Sequence, residues 1–428
     1  MNLAVVSVIA LLIAITLSCV SKINIGVLGM MMAWIIGVYL AGMPLSDVLA
    51  GFPTQLFITL AGVTFLFTLA EVNGTLNKVA TRAVKSCRGN LGLIPIMFFM
   101  LALAFGSIGP GSIASVAILG PMAMAVAGRT GISPFLMTIM VANGAQASSL
   151  SPIAPTGIIV SGLMSKIGFS ATEWYCYAIV LLAHTLVGFA GYFALGGLRL
   201  FAGNDPVGRA QLHAVGVMPN GDPIEAPGLE RRHVITLVVI VAVIVVVLFL
   251  SLNVGMAALS GAVVLVLAGA GDESKAFRAM PWGPILMVSG VTVLVTLIEK
   301  TGGMDLFSSL LARLASSQTV TGVSAFITGS ISIFSSTSGV VLPAFLPTVP
   351  GIVARLGGNT LAIASSMIVG AHLVDVSPLS TTGALCIAAV PANTDVRQLF
   401  RSMLAWGFSM SAVGAIASQI AFGLFWSR

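Results

Sequence analysis

The sequence predicts an all-α integral membrane protein built from two inverted repeats. Each repeat has five transmembrane helices, one re-entrant hairpin and a helix broken at mid-membrane. Three observations lead there. Of the 428 residues, 57% are hydrophobic and only 7% are charged, where a soluble domain carries about a quarter charged residues. Two stretches recur: Gly62-Val63-Thr64-Phe65-Leu66-Phe67-Thr68-Leu69-Ala70-Glu71 returns as Gly290-Val291-Thr292-Val293-Leu294-Val295-Thr296-Leu297-Ile298-Glu299, and Ser151-Pro152-Ile153-Ala154-Pro155-Thr156-Gly157 returns as Ser377-Pro378-Leu379-Ser380-Thr381-Thr382-Gly383. The spacings, 228 and 226 residues, make the chain two copies of one unit. Each copy holds an odd number of spans, so the copies enter the bilayer in opposite orientations.

The first copy occupies residues 1–198. Apolar spans run at about 3–20, 23–42 and 54–72, each near the roughly 20 residues a bilayer requires. A basic, helix-compatible segment with Lys78, Arg82, Lys85 and Arg88 follows. Residues 89–128 form an uncharged block interrupted by Gly109-Pro110-Gly111-Ser112. Periodicity allows two short spanning helices or a re-entrant hairpin; the short limbs and polar centre favour a hairpin whose tip stops at the midplane. A broken span covers about 134–163, and a last span runs from 174 to 197.

A polar linker, 199–232, joins the copies on the cytoplasmic side. The second copy, 233–428, repeats the order: spans near 233–251, 254–270 and 281–299, then a short amphipathic stretch with Asp305 and Arg313. The hairpin block is 314–354, centred on Ser335-Ser336-Thr337-Ser338-Gly339. A broken span at 359–392 and a final span at 402–426 complete it.

Loop charge gives an independent orientation. With the loop of Lys78 cytoplasmic, 14 basic residues fall inside, among them Lys22, Arg129, Arg231, Lys275 and Arg397. Only Lys166, Lys300, Arg313, Arg355 and Arg428 fall outside. Positive residues collect on the cytoplasmic side, so both termini face outward across a cell inner (plasma) membrane.

Several classes are excluded. The formal charge of +6 sits in short loops and does not suggest nucleic acid. Cys19, Cys87, Cys176 and Cys386 are scattered and read as small apolar residues, with no transition-metal pattern. The first apolar run lacks a basic start and a cleavage site, and reads as a retained helix. There is no phosphate-binding Gly-Lys-Ser/Thr loop and no nucleophile–base set, so enzymatic function is not expected.

Chemistry is expected at the four breaks: Gly109–Ser115, Ser148–Gly157, Ser335–Gly339 and Asp375–Gly383. Interrupted membrane helices release backbone groups, tolerated only inside protein or around a wet cavity. Helix N-termini attract an anion, and freed carbonyls and hydroxyls hold a small cation. The candidate substrate-binding residues are Gly111, Ser112, Ser151, Pro155, Thr156, Thr337, Ser338, Ser377, Thr381 and Thr382. The candidate cation-binding residues are Gly109, Ser112, Ser149, Ser336, Ser338 and Asp375. Asp375 is the one charge between Arg355 and Asp395, a costly place for a carboxylate unless it is paired, protonated or cation-bound. Gln146 and its counterpart His372 lie one turn before each break and can orient a loop or touch substrate. His184 reads as a packing residue. Glu71 and Glu299 read as anchors for the segments that follow them.

The run from Ala50-Gly51-Phe52-Pro53 to Gly62-Val63-Thr64-Phe65-Leu66-Phe67 and Asn73-Gly74-Thr75 resembles the N-terminal region of MatC-type dicarboxylate (malonate) carriers. Asn143-Gly144-Ala145-Gln146 and Ser151-Pro152-Ile153 continue the likeness. More broadly the plan resembles the divalent anion:sodium symporters and the ion transporter superfamily. That resemblance implies a homodimeric secondary carrier, sodium-coupled, importing a small dicarboxylate such as malonate or a C4 acid by an elevator-type motion. No cofactor beyond the coupling ion is implied; a proton is the alternative. The symporters carry Ser-Asn-Thr at both tips, whereas this chain reads Gly109-Pro110-Gly111-Ser112 and Ser335-Ser336-Thr337-Ser338, without the Asn side chains. The rival expectation is the membrane subunit of a tripartite, binding-protein-dependent transporter.

Overall fold

Helix starts are written in the sequence as capping residues. Asn24 Oδ1 accepts from the Gly26 amide at 2.9 Å, and Asn253, its counterpart in the second copy, accepts from the Met256 amide at 3.1 Å. Ser133 and Asn359 cap the two broken spans in the same way. Each cap satisfies a donor that a helix N-terminus otherwise leaves open. The computed structural model describes residues 2–20, 23–76, 78, 90–202, 228–250, 252–280, 282–390 and 395–424. All regular structure in them is helical.

The first copy supplies α1 (Leu3–Val20), α2 (Ile25–Trp34), α3 (Leu45–Leu49), α4 (Thr54–Val72), α5 (Leu93–Ser107), α6 (Gly111–Thr130), α7 (Pro134–Ala147), α8 (Pro155–Lys166) and α9 (Glu173–Ala194). The second supplies α10 (Arg231–Leu250), α11 (Val254–Leu267), α12 (Glu273–Ala279), α13 (Trp282–Lys300), α14 (Gly303–Ala312), α15 (Val320–Ser332), α16 (Thr337–Leu356), α17 (Thr360–Leu373), α18 (Thr381–Ala388) and α19 (Val396–Ser418). The breaks after α5, α7, α15 and α17 fall where the sequence places them. α3 and α12 are additions that hydropathy alone does not reveal. α19 begins at Val396 rather than 402, because Asp395 caps the Gln398 amide. Of the basic segment after α4, Arg82, Lys85 and Arg88 lie outside the described residues, as do 203–227 of the linker.

Both hairpin blocks have unequal limbs. α5 and α15 have 15 and 13 residues, about 22 and 20 Å of helix, short of a hydrocarbon core of about 30 Å. α6 and α16 have 20 residues each, enough by length to cross.

The packing exchanges the copies. α4 lies on α11, and its counterpart α13 lies on α2. Glycines make these approaches possible: a Cβ on Gly62 would stand 2.5 Å from the Gly255 carbonyl oxygen, and one on Gly290 would stand 2.0 Å from that of Gly26. Small residues let membrane helices approach closely enough for dispersion contacts to hold them. The hydrophobic cores follow the same exchange. One combines α1, α2 and α8 of the first copy with α13 to α17 of the second; the other combines α4 to α7 of the first with α10, α11 and α18 of the second. Neither copy closes a core alone. In consequence each hairpin block packs on the other copy's broken helix, α6 on α18 and α16 on α8, so the four breaks face one another.

Candidate functional site

A cavity of about 300 Å³ lies where the breaks converge. The first tip contributes Pro110, Gly111 and Ser112; the second contributes Ser336, Ser338 and Gly339. Pro155 and Thr156 come from the start of α8, and Thr381 from the start of α18. The remaining walls come mainly from α4 and from Ile285 and Met287 of α13.

The two copies equip the site differently. α6 begins behind Pro110 and α8 behind Ala154, neither with a side-chain cap. The first-turn amides of α6, and those of α8 beyond Pro155, which has no N–H, therefore have no side-chain cap and can meet a ligand in the cavity. Gly111, at φ 78°, turns the chain into α6, and a Cβ there would stand 3.2 Å from Pro155 Cδ. In the second copy Ser336 Oγ accepts from the Gly339 amide at 3.1 Å, and Ser380 Oγ from the Gly383 amide at 3.2 Å. Those N-termini are already partly satisfied.

Behind the second tip lies an oxygen cluster. Thr337 Oγ1 stands 2.6 Å from Asp375 Oδ1 and 3.2 Å from the Ala371 carbonyl, and also meets Ser332 Oγ. The Asp375 carbonyl accepts from Ser380 Oγ at 2.5 Å and from Thr382 Oγ1. The single hydroxyl proton on Thr337 faces two acceptors, Asp375 Oδ1 and the Ala371 carbonyl. A carboxylate, carbonyl and hydroxyl set of this kind suits a hard cation.

The sequence-derived candidates thus separate. Gly111, Ser112, Pro155, Thr156, Ser338 and Thr381 line the cavity, as does Ser336. Thr337 does not; it turns to Asp375. Ser151 is buried with Oγ donating to the Ser107 carbonyl at 2.6 Å. Ser377 is buried, and Thr382 is held by Asp375 and by Gln146 Nε2 at 3.3 Å. Gly109 is buried against the Phe67 ring. Ser149 Oγ is buried without a partner. His372 bonds the Ile368 carbonyl through Nδ1 at 2.9 Å, and His184 bonds Asn143 Oδ1 at 2.9 Å; neither lines the cavity. Both histidines are interior polar groups.

Glu71 is the residue that sequence reasoning undervalued. It is half-buried and lines the cavity, one face of α4 carrying Thr64, Thr68 and Glu71 together. Their i, i+4, i+7 spacing was visible, but Thr292, Thr296 and Glu299 repeat it. Glu299 is exposed and lies outside the cavity.

Residues 1–149 match the family described as the dicarboxylate carrier protein MatC N-terminus. Two uncharacterized transporters of Mycobacterium tuberculosis strain H37Rv are similar over most of their length. One is 23% identical over 347 residues, covering 74% of this chain and 77% of its own. The other is 22% identical over 318 residues, covering 72% and 71%. The crystal structure of the Alcanivorax borkumensis YdaH transporter superposes with a TM-score of 0.56 at 15% identity, covering 89% of this chain and 88% of that one. The chain is a multi-pass membrane protein with a transporter fold. Within that fold the cavity lies between the two copies.

Proposed function

We propose that the protein is a secondary active carrier that imports a small dicarboxylate, coupled to sodium. The convergence of all four breaks on one cavity carries this reading. The uncapped starts of α6 and α8 offer amides and positive helix ends to carboxylate oxygens, with Ser112 and Thr156 beside them. The oxygen cluster of Asp375, Thr337 and Ala371 takes the cation as co-substrate. Its charge offsets that of the anion, for which the cavity lining has no Lys, Arg or His among the described residues.

Asymmetry between the copies supports an elevator-type motion. The first tip packs Gly109 on Phe67 of α4, and the second packs Gly339 on Met287 of α13. At the 228-residue spacing Met287 corresponds to Thr59. Gly339 corresponds to Gly111, two residues beyond Gly109, so the contact levels on the equivalent helices differ by up to eight residues, about 12 Å along the axis. In inverted copies, exchanging those levels carries the tip-bearing helices by about that distance. The cavity is bounded by Glu71, Leu76 and Ala279, next to the loops that carry the cytoplasmic charge. This is an inward-facing arrangement.

Uptake by purified protein in proteoliposomes tests the reading, with labelled malonate, succinate, malate and citrate under sodium or proton gradients. Sodium-driven accumulation by this chain alone supports it and dispenses with a binding-protein partner. Accumulation under no gradient for any of the four acids overturns it. Native mass spectrometry checks the homodimer.

A further inference from the structure

The cavity lining has two chemistries. The starts of α6 and α8 present amides without side-chain caps. α4 presents Thr64, Thr68 and Glu71. Thr64 Oγ1 donates to the Leu60 carbonyl at 2.5 Å, and Thr68 Oγ1 donates to the Thr64 carbonyl at 2.8 Å. A hydroxyl has one proton, so both are committed to the backbone and only lone pairs face the cavity. Among the described residues Glu71 has no ion pair and is the one charged side chain in the lining. The α4 wall is therefore acceptor-only and anionic.

A plain dianion is a poor match to such a space. Any carboxylate that reaches the α4 wall meets another carboxylate and two lone pairs, in surroundings where charge is weakly screened. An ammonium group in the same place meets three acceptors, one of them charged, and a charge-assisted hydrogen bond is among the stronger polar contacts. We infer that the substrate is an amino-substituted dicarboxylate, with its carboxylates at the starts of α6 and α8 and its ammonium group at Glu71. The inference rests on the carrier reading above and narrows its substrate class. It makes Glu71 a specificity-determining residue.

The test compares acids with one carbon skeleton: succinate, L-malate and L-aspartate, binding to and competing for uptake by the full-length protein in proteoliposomes. Aspartate is expected to bind roughly tenfold or more tightly than succinate, the size of one charged hydrogen bond, with malate between them. Glu71→Gln is expected to remove most of that advantage and to tighten succinate, because the repulsion goes with the charge. Glu299→Gln, exposed and outside the cavity, is expected to keep the advantage. A melting temperature for each variant separates loss of recognition from loss of fold. Succinate binding as tightly as aspartate in the unsubstituted protein overturns the inference while leaving the carrier reading intact. So does an aspartate advantage that survives in a stably folded Glu71→Gln protein. If none of the three acids binds or moves, the inference fails, and the carrier reading fails with it only when malonate and citrate do not move either.

Discussion

Thr337 Oγ1 donates to Asp375 Oδ1 at 2.6 Å, tying the second tip to the second broken helix across 38 residues of chain. The contact sits behind the cavity wall rather than in it, so the proposed cation place is separate from the proposed anion place. Asp375→Asn and Thr337→Val should each weaken sodium activation of uptake by about tenfold or more, the size of a lost polar contact to a charged group, ~1.5–3 kcal/mol. Sodium titrations of uptake check this. Asp375→Asn should impair coupling more than Glu71→Gln does, and equal sodium dependence in the two variants would remove Asp375 from the ion site.

Thr156 and Ser338 reach the cavity itself. Thr156→Val and Ser338→Val should weaken substrate affinity by roughly tenfold, the worth of about 1.4 kcal/mol, with the sodium midpoint moving less. Ligand-induced thermal shifts measure the affinity. Unchanged values in both variants would place the anion elsewhere.

The crossing of α13 over α2 depends on the absence of a side chain at Gly290, where a Cβ would meet the Gly26 carbonyl oxygen at 2.0 Å. Gly290→Ala should destabilise the protein by about 1–3 kcal/mol, the usual cost of overpacking. Gly162 has nothing within 4 Å of an added Cβ, so Gly162→Ala should hold or raise the melting temperature. Thermal unfolding in detergent compares them.

Lys78 and Glu230 pair at 2.8 Å where the segment after α4 meets the start of α10, with Arg232 at 2.9 Å from the same carboxylate. The Lys78 hydrogen bond is the main cause holding the Glu230 carboxyl below its ordinary value of 4.5. A lowered folded value means the stabilisation is present above about pH 4.5 and is lost as pH falls through the folded value. The pair is exposed, so the effect is small. Glu230→Gln should melt slightly below the parent near neutral pH, and the difference should close in acid.

The offset between the tips gives a geometric test of the motion. Cysteines at Pro110 and Phe67, in a background lacking the four native cysteines, should cross-link in the inward-facing state. Cysteines at Pro110 and Thr59 should cross-link only when the outward-facing state is trapped. Constant yields for both pairs under all conditions would contradict an elevator.

Much of this was legible in the chain. Hydropathy placed the spanning helices, because an apolar run of spanning length has few other ways to satisfy its backbone in a bilayer. Pro and Gly at Gly109-Pro110-Gly111 and Pro155 marked the first copy's breaks, and the hydroxyl clusters at Ser335–Gly339 and Ser377–Thr382 marked the second's, because each interrupts an otherwise apolar run. Duplication at 226 and 228 residues said that the breaks come in pairs.

What one-dimensional pattern left open was which hydroxyls face the cavity and which face each other. Ser151 and Thr156 look alike in sequence, yet one spends its proton on Ser107 and the other lines the site. Thr337 and Ser338 are neighbours, yet one turns to Asp375 and the other to the cavity. A turn of broken helix points successive side chains in different directions, and only the packing of the other copy against it fixes which direction is the cavity. Glu71 and Glu299 make the same point at larger scale. Their surroundings in sequence are nearly identical, but the tips stand at different levels on α4 and α13, so one carboxylate joins the site and the other stays in the open. The sequence by itself determined a duplicated membrane protein with four polar breaks. The tertiary structure decided that the copies share their cores, and that sharing gives equivalent residues unequal neighbours.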